Sequence, residues 1–105
     1  GLSVDEVGIY DNTNATSVGL IKWTDITEIK TGQVASTKYL LILINNPVDY
    51  INRMKGFQRR ISEANNKMYG TPLSISSNTL KYDFNDLERL LKERFSEHCQ
   101  KRLNS

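Results

Sequence analysis

Cysteine, histidine and tryptophan each occur once in this chain of 105 residues, and proline and methionine twice. The lone Cys99 has no second cysteine with which to close an internal disulfide, which points to a reducing compartment. With His98 and Cys99 the only residues of their kinds, the three or four ligands a metal centre wants are not to be had from His and Cys. Adjacent residues on a helix stand about 100° apart, so these two cannot serve as nucleophile and base. A glycine-rich phosphate loop is missing, and no two carboxylates read as an acid/base pair. The longest unbroken apolar run, Tyr39 to Ile44, falls far short of the ~20 residues that cross a bilayer. Catalytic residues, cofactors, metals and a small-molecule substrate are therefore not expected, and the chain as given is expected to be soluble.

What is present suits one folded domain, residues 1–105. A chain of this length buries roughly two thirds of its unfolded surface, enough for one core without staples. The 38% hydrophobic and 25% charged fractions are ordinary for a globular chain. The net charge of +2 hides an asymmetry, since the first 50 residues carry three lysines against six acids and the remainder eleven lysines and arginines against six acids, a net +5. Asn14-Ala15-Thr16 matches a glycosylation sequon, a pattern common by chance. The chain opens on Gly1-Leu2-Ser3 without methionine, which reads as the scar of a cleaved tag and leads us to expect a longer natural N-terminus. A myristoyl site at Gly1 fails because Asp5 stands where Ser or Thr is needed.

Strand signals fill residues 2–45. Leu2-Ser3-Val4 and Gly8-Ile9-Tyr10 flank a short turn, and Asp11-Asn12-Thr13-Asn14 is a dense cluster of turn formers. Ile21 and Trp23 share one face of a strand, but Ile26 and Ile29 are three apart, so the two-residue period slips after Trp23. Asp25 is the natural corner residue, its short side chain suited to bonding backbone amides just ahead of it. Tyr39 to Ile44 is apolar on both faces, as in a strand covered on both sides.

Asn46-Pro47-Val48-Asp49 then reads as a helix start with Asn as N-cap and Pro at the first position. Tyr50, Met54, Phe57, Ile61, Ala64 and Met68 recur at steps of 4, 3, 4, 3 and 4, a stripe roughly 80° wide. One helix over 47–68 is expected, packed on the sheet, with Gly56 a weak point worth about 1 kcal/mol against Ala. The same spacing would suit a partner helix. Gly70 supplies the left-handed stop and Pro72 forbids continuation. A short strand over 72–76, a polar turn and a final helix over 84–102 complete the chain. Phe84, Leu87, Leu91 and Phe95 line that helix, Asp83 or Asn85 caps it, and His98 falls in line as a partly covered helix-end residue.

Arg53, Lys55, Arg59, Arg60 and Lys67 make the inserted helix basic, and Arg53, Arg60 and Lys67 are seven apart, forming a ridge beside the stripe. Such a ridge suits an anionic surface. Its plain alternative is a solvated face in which Asp49 pairs with Arg53 and Glu63 with Arg59 and Lys67. Nucleic acid is not expected, since its binding surfaces come with a strongly basic domain and stacking aromatics.

The strand-rich first half, the corner at Trp23-Thr24-Asp25-Ile26 and the closing amphipathic helix together resemble a bacterial pleckstrin-homology-like (PH-like) domain. More closely, "GIYDN", "VGLIKWTDITEI", "NNPVDYI" and "NKMYGTPLSIS" look like an uncharacterised bacterial family in which two N-terminal membrane helices precede such a domain. The resemblance implies an α+β fold, a bent antiparallel sheet or half-open barrel with an inserted helix at 47–68 and a C-terminal helix plugging one end. It would make Trp23 a core residue, Asp25 the group that fixes the corner, and Phe95 the nearest counterpart of the Trp in the final helix of animal versions. Relatives that bind phosphoinositides carry Lys and Arg around the first hairpin, where this chain has Asp5, Glu6 and Asp11. The expected function is a non-catalytic interaction module on the cytoplasmic side of the inner membrane, tethered by an N-terminal anchor. It would bind a protein partner or its own copies through Arg53, Arg59, Arg60 and Lys67. The alternative is peripheral binding of anionic lipid by the same ridge.

Overall fold

A computed structural model of the chain describes residues 2–12, 18–79 and 83–104. Three strands, β1 (Leu2–Val4), β2 (Gly8–Asp11) and β3 (Gly19–Lys22), form an antiparallel meander. In the turn between the first two, the Asp5 carboxylate accepts hydrogen bonds from the Val7 and Gly8 amides. A 3₁₀ turn over Trp23–Asp25 carries the chain into a second antiparallel sheet of β4 (Ile26–Val34), β5 (Thr37–Ile44) and β6 (Leu73–Ser76), with β5 central. The helices α1 (Pro47–Ile51) and α2 (Gly56–Tyr69) are inserted between β5 and β6, and α3 (Phe84–Leu103) ends the fold. The fold class is thus α+β, with two three-stranded sheets that do not close into a barrel. The sequon at Asn14, the end of the turn cluster at Thr13-Asn14, and part of the polar turn after Ser76 lie outside the described residues.

The core forms between the inner faces of the two sheets. Ile9 and Ile21 come from the first, and Ile26, Ile29, Leu40, Ile42, Ile44, Leu73 and Ile75 from the second. Leu87 and Leu91 of α3 join the same cluster, with Phe84 and Phe95 packed against it. Asp83 caps α3 by accepting from the Asp86 amide, and Lys101 and Arg102 lie in its last turn, where cations oppose the helix dipole. The slipped apolar period after Trp23 has two causes, the 3₁₀ turn and a β-bulge between Ile26 and Glu28 that puts Ile26 and Ile29 on the same side.

The expected single helix over 47–68 is two helices. Residues 52–55 interrupt it, Lys55 is extended, and Gly56 opens α2 at φ +58°. That left-handed backbone costs a side chain about 1–2 kcal/mol, so the glycine is the residue the break requires and no weak point. The break resets the helical phase. Tyr50, before it, and Met54, within it, are buried, whereas Phe57 and Met68, after it, are 75% and 70% exposed. The stripe expected to pack on the sheet as one unit is therefore split. Asn46 stands at the N-cap of α1 without making a side-chain cap bond, and its amide reaches Asp49 at 3.5 Å.

β5 is fully buried on its inner side only. Leu40, Ile42 and Ile44 are buried, while Tyr39, Leu41 and Leu43 on the other side are half-buried. The C-terminal half of α2 supplies partial cover there, and Gly70 ends that helix in a left-handed C-cap at φ +79°, its amide donating to the Asn66 carbonyl. Thr71, buried, then donates to the Ile42 carbonyl and accepts from the Leu73 amide, fastening the end of the insert to the sheet.

Gly56→Ala is expected to destabilise the chain by about 1 kcal/mol, opposite in sign to the gain Ala brings in a helix interior. Urea denaturation checks the sign, and an increase in the midpoint would show that the two helices run on as one.

Candidate functional site

The corner after β3 is built on Tyr50. Its ring is fully buried, its hydroxyl donates to Asp25 Oδ2 at 2.7 Å, and the same oxygen accepts from the Lys22 amide at 3.2 Å. Asp25 therefore fixes the corner from across the fold, by receiving Tyr50, and not by bonding the amides ahead of it. Arg53 lies 4.1 Å over the Tyr50 ring and donates to the Leu20 carbonyl at 2.7 Å. A guanidinium in that position is attracted to the face of the ring. Trp23 is 3% exposed, and its indole N–H donates to the Asp5 carbonyl at 2.9 Å, tying the corner to the β1–β2 turn. Burial first, and then the hydrogen bond to Asp25, raise the Tyr50 phenol above its ordinary value near 10, with the Lys22 amide and Arg53 opposing.

The structure does not assemble Arg53, Arg60 and Lys67 into a ridge. Arg53 lies in the break and is drawn back onto Tyr50 and Leu20. Arg59 is held by Glu63 at 3.1 Å and by Asn52 at 3.1 Å, so Glu63 engages Arg59 and not Lys67. Arg60 and Lys67 remain, exposed and with no ion pair to any described residue.

These two flank an apolar surface. At about 100° per residue, Phe57, Ile61, Ala64 and Met68 fall within about 60° of one another on α2, with Arg60 and Lys67 along one border. The side turned to the body is more polar: Ser62, buried against the Met54 sulfur, lies about 140° from Phe57, and Asn65 and Tyr69 about 80° and 120°. On that other border a groove of about 390 Å³ opens between α2 and the outer face of the second sheet. Tyr39, Leu41 and Tyr69 give it an apolar lining, with Asn65, Ser74 and Gln33 supplying uncharged polar groups.

Elsewhere the surface is less suited to a ligand. A shallow groove of about 310 Å³ beside Trp23 interleaves Asp5, Glu6 and Glu97 with Arg94 and Lys101, so acids and bases offset one another. His98, half-buried, borders it, and Cys99 is exposed on α3. Among the described residues no group of three or more His, Cys, Asp and Glu is arranged to hold a metal ion, and no helix is long and apolar enough to cross a membrane. The chain matches no protein-family model, no curated protein and no solved structure. The exposed face of α2 was hidden in the sequence because its stripe is in register with Tyr50 and Met54, and nothing but Gly56 marked the break.

Tyr50→Phe is expected to cost about 1–3 kcal/mol, because it leaves the Lys22 amide and the Asp25 carboxylate without their partner. The same hydroxyl sets an alkaline limit. The unfolded chain releases the phenolic proton from about pH 10, whereas the folded chain holds it to higher pH, so stability is complete below that point and declines as pH rises beyond it. Thermal melts from about pH 9 to 12 should fall more steeply for the unaltered chain than for Tyr50→Phe, and parallel slopes would count against the buried phenol.

Proposed function

We propose that this chain is a non-catalytic, PH-like interaction module that docks through the outward face of α2, on a protein partner or a further copy of itself. The observation that carries the reading is the exposure of Phe57 and Met68, on a helix whose more polar side faces the body. A helix placed only to cover a sheet turns its apolar side inward, so the reverse orientation calls for a contact outside the chain. The unpaired Arg60 and Lys67 add a preference for negative charge. An anchored position at the cytoplasmic face of the inner membrane belongs to the same proposal and rests on the resemblance given above.

A second reading is peripheral binding to anionic lipid. It is favoured by the same pairing of exposed apolar residues with two cations on a helix border, the pattern of helices that lie in a membrane interface. Flotation with phosphatidylglycerol vesicles, weakened by salt, is its signature.

A photo-crosslinking amino acid placed at Phe57 or Met68 in the full-length protein is expected to give adducts of defined mass in cells of the native host, and at Ser96 on α3 none. Equal labelling at all three positions, or none at 57 and 68, would overturn the assignment of this face.

A further inference from the structure

We infer that the occupant of this face is an acidic amphipathic helix from another protein, which lays its apolar side on the α2 stripe and inserts one large side chain into the neighbouring groove. The inference rests on the interaction reading above and selects among its partners. Three occupants are at issue: a second copy of the chain, a bilayer, and a helix of different sequence.

The spacing of the stripe invites a second copy. Positions 57, 61, 64 and 68 are symmetric about their midpoint, so two antiparallel α2 helices would set Phe57 against Met68 and Ile61 against Ala64. The flanks forbid it. In that arrangement Arg60 of one copy comes beside Lys67 of the other, twice over, and like charges placed so are repulsive. A parallel pairing supplies no acid either, because Glu63, the one acid of α2, is engaged by Arg59 of its own helix. The stripe therefore complements an amphipathic helix with a negative border beside Arg60 and Lys67.

Charge alone does not separate such a helix from an anionic bilayer, but concavity does. The groove between α2 and the second sheet adjoins the stripe through Asn65 and is lined by Tyr39, Leu41 and Tyr69. A flat interface leaves a recess of that kind unfilled, whereas a helix carries side chains that enter it as knobs, and apolar anchors seated in pockets dominate such interfaces. The uncharged Asn65, Gln33 and Ser74 around the recess suit a neutral side chain with one polar atom, such as Trp or Tyr.

The test is a selection from a displayed library of random 16-residue peptides against the immobilised 105-residue chain, followed by fluorescence anisotropy with the labelled winner. The expected winners are net negative, carry apolar residues at helical spacing and include an aromatic. Binding should weaken at least tenfold with Arg60→Glu/Lys67→Glu, and again with Tyr69→Ala, while circular dichroism and the melting temperature stay as they were. The inference fails if the winners are neutral or basic, if no peptide is enriched over a blank surface, or if the variants bind as well as the parent. It also fails if the chain binds phosphatidylglycerol vesicles in place of peptide, or sediments as a dimer that Phe57→Asp dissolves. Crosslinks at 57 and 68 together with any of these results would leave the docking face in place and remove only this choice of partner. The loss of those crosslinks would remove both.

Discussion

The hydroxyl of Tyr50 is the point on which the arrangement of this chain turns. It joins the Lys22 amide at the end of β3 to the Asp25 carboxylate at the end of the 3₁₀ turn, just before β4, and so fixes the angle at which one sheet leaves the other. The residue making that bridge belongs to neither sheet but to α1, in the insert. Arg53 completes the clamp by lying over the same ring while it binds Leu20. The insert is thus fastened to the core at its beginning by Tyr50 and at its end by Thr71, which bonds the Ile42 carbonyl. Between those two points α2 need not supply core residues, and its apolar stripe is free to face outward.

That freedom depends on the interruption at residues 52–55. Had the helix run on from Tyr50 through Met68, the recurrence of apolar residues would have carried all six to the same side, and Arg53, Arg60 and Lys67 to a common border. The extended Lys55 and left-handed Gly56 break that relation. Tyr50 and Met54 join the core, and the rest of the stripe, from Phe57 to Met68, is displayed together with two unpaired cations. A single backbone feature separates a structural role from an interaction role within one continuous sequence pattern.

The α+β class, the corner at Trp23, the C-cap at Gly70 and the extent of α3 were legible in the sequence because each rests on local rules: alternation, turn chemistry, capping, and helical spacing. The hairpin between β4 and β5 was less so. Its two-residue turn, Ala35-Ser36, places Ala35 at φ +53° without the Asn or Gly that usually announces such a turn, so the end of β4 left no mark. The candidate site was legible only in its ingredients. Arg60 and Lys67 stand where their spacing put them, but Arg53 and Arg59, though exposed, are engaged by Tyr50 and Leu20 and by Glu63 respectively.

By itself the sequence determined the order of strands and helices, apart from the break in the insert and the end of β4, and where the terminal helix begins and ends, since those outcomes follow from the dihedral preferences and side-chain period of neighbouring residues. Tertiary structure decided which side of each segment is buried once the backbone breaks phase, and which cation finds a partner. For Arg53 that partner lies far along the chain, whereas Arg59 meets Glu63 at the four-residue spacing the sequence displays. The contact of Arg53 with Leu20 and that of Tyr50 with Asp25 arise only when the two sheets and the insert have closed on one another.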